Sequence, residues 1–310
     1  MQNQADRNFK TDGGPLAGRV AVVAGATRGA GRGIAVKLGE AGATVYVTGR
    51  STREQTSDIG RAETIEETAE LVTAAGAASG GRGIAVRTDH TSPEQVKALF
   101  DRIRKEQGGR LDVLVNDVWG CEHLILFEGS FWEQPLENAL TMLDRAVRAH
   151  LITAYYGIPL LVANRRGLLV EITDGTDYSV RPAGVGYSLA KVCNIHLAAA
   201  LAEQLKPHGV AAVSLTPGFL RSEQMLDHFG VTAETWRNAP DPHFRACSET
   251  PAYIGAAVVA LASDPDILAK TGQAFSTWRC ADEYGIRDAD GSQPHWGRYY
   301  ASIKDGPESR

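Results

Sequence analysis

The sequence predicts one α/β domain built on a doubly wound parallel sheet of about seven strands flanked by helices. Short apolar runs rich in β-branched residues recur along the 310 residues, and stretches with helical spacing separate them. Strands that are apolar on successive residues are typical of a parallel sheet that is buried on both faces. No internal repeat or low-complexity linker divides the chain. This alternation is the pattern of Rossmann-type folds.

Each predicted element follows from its local pattern. The predicted strands are Val20–Ala24, Thr44–Thr48, Ile84–Arg87, Asp112–Asn116, Leu168–Thr173, Gly209–Leu215 and Gly272–Thr277. The predicted helices are Gly29–Glu40, Glu63–Ala75, Pro93–Gln107, Pro135–Ala163, Tyr187–Leu205 and Ala252–Ser263. Pro93 suits the first turn of its helix, because the N–H that proline lacks would be unpaired there in any residue.

Three segments lie outside or between these elements. Residues 1–18 are predicted to be a loose tail, residues 19–280 the folded body and residues 281–310 an irregular C-terminal extension. The stretch 219–250 is too long for a simple crossover and is predicted to be a substrate loop, since long loops at the carboxyl ends of strands carry ligand contacts. Its aromatic residues fit either an apolar substrate or an anchor that holds the loop to the body.

Composition and charge narrow the classes of function. The net charge of −5 offers no basic excess for a nucleic-acid backbone. No uninterrupted apolar run reaches the roughly 18 residues that a membrane span needs, and Met1–Gly18 lacks the apolar centre of a signal peptide. The four cysteines are scattered without metal-ligand spacing. We therefore expect a cytoplasmic protein with reduced thiols, no metal, and neither nucleic-acid nor membrane partners.

A glycine-rich turn follows the first predicted strand. It reads Gly-Ala-Thr-Arg-Gly-Ala-Gly from Gly25 to Gly31 and includes Gly29. In a dinucleotide-binding fold, this turn and the following helix N-terminus hold a pyrophosphate through backbone N–H groups. Glycines also collect in plain turns, but the position directly after the first strand favours a cofactor site that also includes Thr27, Arg28 and Ala30.

The end of the second strand indicates which cofactor is bound. Enzymes that use NAD usually place a carboxylate there to bond the ribose hydroxyl, whereas this chain has Gly49 followed by Arg50 and Ser51. Guanidinium groups on Arg28 and Arg50 suit a 2′-phosphate. Arg50 may alternatively be read as a solvated surface residue, but the missing acid and the two arginines favour NADP(H).

Tyr187 and Lys191 are four residues apart and therefore share one face of a predicted helix. A cationic lysine beside a phenol stabilises the phenolate and lowers the pKa of Tyr187. A carbonyl that accepts a hydride needs a proton on its oxygen, and such a tyrosine can supply it. The pair alone is suggestive, because matches of this length also occur by chance.

Together these features resemble the short-chain dehydrogenase/reductase (SDR) family over roughly residues 16–280. The glycine turn is similar to the family's TGxxxGxG loop, and Tyr187 and Lys191 match its YxxxK motif. Asp89, the segment Leu114–Gly120 and the segment Pro217–Ser222 match three further motifs. The resemblance implies cofactor contacts at Asp89, His90, Asn116, Lys191, Pro217, Gly218, Leu220 and Ser222. Within the family, the chain resembles a bacterial branch distantly similar to vertebrate dehydrogenase/reductase member-1 proteins.

One departure from the family affects the reaction directly. The family's catalytic serine lies 13 residues before the tyrosine, and this chain has Asp174 there. An ionised carboxylate would repel a developing oxyanion. Three accounts stay open: Thr173 or Thr176 supplies the hydroxyl, which we favour; Asp174 is protonated by burial and donates a hydrogen bond; or the substrate is positively charged, such as an iminium.

A second departure is His150, which stands where the family commonly has an asparagine that organises a proton relay. An imidazole can also relay a proton near neutral pH. A buried histidine with a purely structural role is an equally good interpretation.

The resemblance predicts an NADP(H)-dependent oxidoreductase that reduces a carbonyl (or imine) of a small apolar or cyclic molecule, with Tyr187 as proton donor. The alternatives are a nucleotide-binding scaffold that has lost redox activity, and a non-redox cyclase or lyase. The helices predicted around 140–163 and 187–205 carry apolar residues on more than one face. We therefore expect a homodimer or homotetramer.

Overall fold

The computed structural model describes residues 13–304 and contains a twisted parallel sheet between two layers of helices. The strands are β1 (Val20–Ala24), β2 (Thr44–Gly49), β3 (Arg82–Arg87), β4 (Val113–Asn116), β5 (Gly167–Ile172), β6 (Val210–Thr216), β7 (Phe219–Leu220), β8 (Ser248–Glu249) and β9 (Ala274–Ser276). Seven of them form the main sheet in the order β3-β2-β1-β4-β5-β6-β9. The prediction of one doubly wound, seven-stranded domain is confirmed.

The helices cover both faces of this sheet or close its carboxyl edge. They are α1 (Gly29–Glu40), α2 (Ile65–Ala75), α3 (Pro93–Glu106), α4 (Leu136–Leu143), α5 (Ala149–Ala163), α6 (Val185–Leu205), α7 (Glu223–His228), α8 (Pro242–Cys247), α9 (Pro251–Ser263), α10 (Thr277–Tyr284) and α11 (Trp296–Lys304). Polar residues cap their first turns: the Thr64 side chain accepts a hydrogen bond from Glu67 N, and Ser92 accepts one from Gln95 N.

The core lies on both faces of the sheet, as the apolar strands predicted. One cluster packs β1, β2 and β4 against α1 and α9, with Ile34 and Ile254 fully buried. The other packs the opposite face against α3 and α5, with Phe100 and Leu161 at its centre. Burial of this apolar area stabilises the fold and fixes the strand ends that carry the site.

The helix predicted over 135–163 is wrong in one respect, because a π-helical turn at Asp144–Arg148 separates α4 from α5. The wide turn lets Arg145 donate to Gly120 O at 2.7 Å and pair with Asp58. A single inserted residue does not disturb an apolar pattern of this length enough to be read from the sequence. Such turns often occur near functional sites.

Both predicted terminal segments also need correction. Residues 1–12 lie outside the described residues, but Leu16 is fully buried and its N–H donates to Ala41 O at 2.8 Å, so residues 13–18 are not a loose tail. The extension predicted to be irregular contains the end of α10 and all of α11. Trp296 of α11 packs edge-on against Phe219, with 5.8 Å between ring centroids. The C-terminal segment therefore lies against the substrate loop.

The substrate loop has its own small core. Its two ends pair through the parallel strands β7 and β8. Phe244 is fully buried between Phe219 and Phe229, at centroid distances of 5.1 and 4.7 Å. The Arg221 guanidinium lies 3.9 Å from the centroid of the Trp236 ring. These contacts favour the interpretation that the aromatic residues anchor the loop.

The stretches Leu136–Ala163 and Val185–His208 are long and apolar enough to cross a membrane by length and composition alone, which corrects the expectation that no segment would be. Core helices pass the same test, and α5 and α6 both pack on the sheet. Their outer faces nevertheless expose apolar side chains, including Leu151 at 49% and Tyr155 at 73%. Packing on the sheet does not account for the apolar side chains exposed on this outer face.

Candidate active site

The predicted site residues gather along the carboxyl edge of the main sheet. The strand order reverses between β1 and β4, which is where doubly wound proteins bind ligands. Turns and helices after β1, β2, β4, β5 and β6 contribute the side chains described below. The sequence motifs therefore converge on one crevice.

The glycine turn is shaped by close backbone contacts. Gly25 has a φ of +88°, and a Cβ there would collide with the carbonyl of Asp117. A Cβ at Gly31 would collide with the carbonyl of Gly25. Thr27 and Ala30 complete the turn as buried residues. A side chain at either glycine would push the turn away from the sheet edge.

The N-terminus of α1 already holds a carboxylate. Gly29 N donates to Glu223 Oε2 at 2.8 Å, from a residue 194 positions away in the chain. The positive end of the helix dipole attracts anions at this position. The Gly29 N–H group therefore holds an oxygen anion, the kind of group that a pyrophosphate would also present to it. Sequence reasoning missed Glu223, because no local signal links it to Gly29.

Both predicted phosphate-binding arginines have acidic partners. Arg50 forms an ion pair with Asp58 at 2.7 Å, and Arg28 lies 3.7 Å from Glu122. Arg50 is therefore not a freely solvated surface residue. A Cβ at Gly49 would collide with Thr27 Oγ1, so packing itself excludes an acid at the end of β2.

Two further predicted cofactor residues turn inward. The buried hydroxyl of Ser51 donates to Ser57 Oγ at 2.9 Å. His90 is wrong as a side-chain contact, because its ring nitrogens lie 2.8 Å from the hydroxyls of Thr48 and Thr153. Burial lowers the pKa of His90 to about 3, so the ring is neutral and structural. Beside it, the Asp89 carboxylate accepts a hydrogen bond from Thr91 Oγ1 at 2.7 Å.

Tyr187 contacts the residue that replaces the family's serine. Its hydroxyl donates to Asp174 Oδ2 at 2.9 Å. Burial, and then the charge of Asp174, raise the pKa of Tyr187 well above its ordinary value. The predicted lowering by Lys191 is wrong here, because burial and the Asp174 carboxylate, which the Tyr187 hydroxyl contacts at 2.9 Å, dominate the shift of this pKa.

Lys191 is held between an aromatic ring and several acids. Its Nζ lies 4.2 Å from the centroid of the Trp119 ring, and Trp119 packs edge-on against Tyr187. Burial lowers the pKa of Lys191, which nearby Asp174 and Asp117 oppose. Burial raises the pKa of Asp117 to about 7, even though Lys191 favours its ionised form. Sequence reasoning did not identify this balance of charges around Lys191 and Asp117.

The preferred account of the missing serine is wrong for Thr173. Its hydroxyl is buried and donates to Lys191 O at 2.6 Å, which fixes the backbone of α6 and leaves no hydrogen for a substrate. Thr176 is exposed, and its side chain makes no hydrogen bond within residues 13–304. Of the candidates Thr173, Thr176 and Asp174, it is Asp174 that contacts Tyr187.

A fully buried polar network lies beneath these residues. His150 Nδ1 lies 2.6 Å from Glu171 Oε2, and Asn116 Nδ2 donates to Glu171 Oε1 at 2.7 Å. His150 Nε2 donates to Val118 O at 3.0 Å, because a carbonyl can only accept. The network holds the backbone that leads to Trp119. The Asn116 side chain points inward to Glu171, and the predicted cofactor contact at this position stays a prediction.

Sequence reasoning also missed Glu171, although a charged residue inside the apolar strand β5 was a usable signal. An ionisable side chain in a fully buried strand needs a partner. Here the partners come from β4 and α5.

The segment Pro217–Ser222, which follows β6, packs against the buried Glu249 side chain. A Cβ at Gly218 would lie 2.9 Å from Glu249 Oε2, which accepts a hydrogen bond from Thr277 Oγ1 at 2.8 Å. Burial raises the pKa of Glu249 to about 8. Ser222 caps α7 by accepting from Met225 N, while Pro217 and Leu220 are half-buried. The segment is thereby set beside the glycine turn.

A small cleft opens next to Tyr187. Its walls include the apolar residues Leu124, Phe131, Met142 and Val185, with Gln134 and Asn138 as polar exceptions. Among residues 13–304, no group of three His, Cys, Asp or Glu side chains is arranged to hold a metal ion. The cleft therefore presents both polar and apolar side chains next to Tyr187.

Comparison with known proteins agrees with this geometry. The model of the short chain dehydrogenase family matches residues 19–229. Dehydrogenase/reductase SDR family member 1 of Mus musculus is 37% identical over 287 residues, which cover 89% of this chain and 85% of that protein. Its Homo sapiens counterpart is 35% identical over 282 residues, with the same two shares. A crystal structure of a short chain dehydrogenase from Mycobacterium thermoresistibile superimposes with a TM-score of 0.73 at 21% identity, over 91% of this chain and 92% of that one.

Proposed function

The chain belongs to the short-chain dehydrogenase/reductase family, and we propose that it is an NADP(H)-dependent reductase of a carbonyl or imine on a small apolar or cyclic molecule. The family uses a nicotinamide cofactor and acts on small molecules. One observation carries the proposal: the Tyr187 hydroxyl, held by Asp174, lies beside a cleft at the sheet edge where the glycine turn holds the Glu223 carboxylate.

Different residues serve cofactor binding and proton transfer. In this proposal, Gly25, Gly29 and Gly31 let the backbone approach the pyrophosphate, and Arg28 and Arg50 hold the 2′-phosphate. When bound, a reduced nicotinamide supplies a hydride. Lys191 binds the nicotinamide ribose, as the family resemblance implies, and Tyr187 donates the proton.

The protonation state of Tyr187 sets the direction. Because burial and Asp174 raise its pKa, the phenol keeps its proton at neutral pH. A phenol that keeps its proton can act as an acid toward a developing negative charge but is a poor base toward an alcohol. This supports reduction over oxidation.

Cofactor choice is tested by replacing Arg50 with alanine. The ion pair between Arg50 and a 2′-phosphate is absent with NADH, so Arg50→Ala should weaken NADPH binding by about 10- to 100-fold and leave NADH binding unchanged. Thermal-shift titrations with NADPH, NADP and NADH measure this, since a ligand that binds only the folded protein raises its stability.

Arg53→Ala is the matched control, because Arg53 lies in the same loop and pairs on the surface with Glu70. It should bind both cofactors as the wild type does. Equal losses of NADPH and NADH binding in Arg50→Ala would remove the assignment of the 2′-phosphate to Arg50. Absence of any stabilisation of the wild type by NADPH, NADP or NADH would contradict the proposed function.

We also propose that the exposed face of α5 and α6 joins two copies of the chain. Members of this family typically oligomerise, and the groove between these helices is lined by Val147, Leu151, Val192 and Leu197. Light scattering should give the mass of a dimer or tetramer, and Leu151→Glu should shift it to a smaller species. Leu71→Glu, which changes an exposed leucine on α2, is the control and should leave the mass unchanged. A monomeric wild type would contradict the proposal.

A further inference from the structure

We propose that the substrate is a cyclic imine reduced in its protonated form, and that Asp174 is the counter-ion of its nitrogen. The inference rests on the proposed function and names the substrate class of the same site. It follows from the position of Asp174, from the hydrogen bonds that Asp174 lacks, and from the walls of the cleft.

The position of Asp174 opposes a neutral carbonyl substrate. An atom that takes the proton of Tyr187 lies about 3 Å from its hydroxyl, and that hydroxyl is 2.9 Å from Asp174 Oδ2. An oxygen that gains negative charge there would be repelled by the carboxylate. A nitrogen that carries positive charge would be attracted to it.

Asp174 interacts electrostatically with the nearby Lys191 ammonium but forms no direct ion pair with it. Within residues 13–304, Oδ1 accepts no hydrogen bond and no cation forms an ion pair with this side chain. Arg181 donates Nε to the backbone oxygen of Asp174 and pairs with Asp177 instead. The Lys191 ammonium lies over the Trp119 ring. Asp174 therefore has one oxygen left for a ligand.

The surroundings of Asp174 combine charged, polar and apolar groups. The rings of Trp119 and Tyr187 pack edge-to-face at a centroid distance of 5.4 Å, and the Lys191 ammonium already lies 4.2 Å from the centroid of the Trp119 ring. The cleft beside Tyr187 presents the apolar side chains of Leu124, Phe131 and Met142 together with the polar ones of Gln134 and Asn138. A small ring would lie against the apolar side chains with its nitrogen toward Asp174.

The chemistry balances without any further reactant. The carbon of the C=N bond accepts the hydride, the π electron pair moves to nitrogen, the nicotinamide is oxidised, and a neutral amine leaves. An imine that arrives unprotonated takes its proton from Tyr187 before this step. A ketone would instead develop negative charge on its oxygen beside Asp174 before Tyr187 protonates it.

The first test measures binding, without turnover. Cyclohexylammonium and cyclohexanol share a ring and differ in charge, and each is titrated against the NADPH complex by the fluorescence of bound NADPH. The wild type should bind the ammonium ion at least about tenfold more tightly, and Asp174→Ser and the isosteric Asp174→Asn should lose that preference. Asp177→Asn changes the next acidic residue along the loop and should keep the preference for the ammonium ion.

The second test compares the turnover of a five-membered cyclic imine with that of cyclopentanone. The wild type should prefer the imine, and Asp174→Ser should shift the preference toward the ketone. Equal or tighter binding of cyclohexanol, binding of neither probe, or preference of the wild type for the ketone would each overturn the inference. Reduction of the ketone alone would leave the proposed function standing, whereas failure to bind NADPH would remove both.

Discussion

Tyr187→Phe is expected to lower the turnover of a ketone or an unprotonated imine by at least about 100-fold, because general acids typically contribute that much. An imine that is already protonated should be affected less. The variant removes one oxygen and leaves the ring that packs against Trp119. Cofactor binding should be unchanged, since the glycine turn and Arg50 are untouched. Steady-state oxidation of NADPH with a cyclic imine or ketone, together with a thermal-shift titration, measures both quantities.

Tyr178→Phe is the matched control. Tyr178 is exposed on the loop after β5, and its hydroxyl contacts His196 instead of the cleft. This variant should keep wild-type turnover. Retention of more than about a tenth of the wild-type turnover of a ketone by Tyr187→Phe would be incompatible with Tyr187 as the proton donor.

Glu171→Leu is expected to destabilise the fold by about 3–5 kcal/mol, the usual cost of removing one partner of a buried charged pair. The change leaves His150 Nδ1 without an acceptor and Asn116 Nδ2 with only the long hydrogen bond to His150 O at 3.4 Å, in a region closed to water. Chemical denaturation followed by circular dichroism gives the free energy of unfolding.

Two comparisons show whether the network is responsible. Glu171→Gln keeps an acceptor oxygen and should lose less stability than Glu171→Leu. The double variant with His150→Leu should lose less than the sum of the single losses, as coupled neighbours do. Glu70→Leu, in an exposed pair with Arg53, should have little effect. Wild-type stability in Glu171→Leu would show that the network is dispensable.

Much of the fold could be predicted because its signals are local. The apolar runs at β1, β4 and β6 and the glycines at the start of α1 report their own environment. The parallel arrangement follows from burial on both faces. The π-helical turn at Asp144–Arg148 and the helix α11 were not predictable in this way, because each depends on contacts with distant segments.

In the candidate site, too, the sequence predicts the positions of the residues better than it predicts their surroundings. The motif placed Tyr187 and Lys191 on one helix face correctly, but it gave the wrong direction for the pKa of Tyr187. That direction depends on Asp174, 13 residues earlier, and sequence spacing does not reveal the contact between the two side chains. Likewise, the pairing of Arg50 with Asp58 and of Gly29 with Glu223 depends on folding.

The most direct test of the account is whether a hydride reaches a substrate carbon. NADPH deuterated at the transferred hydrogen should give a product of the wild-type enzyme with one deuterium on the carbon of the reduced bond, as measured by mass spectrometry. Stable NADPH binding with no deuterium transferred to any cyclic imine or ketone would contradict a reductase and favour a nucleotide-binding scaffold.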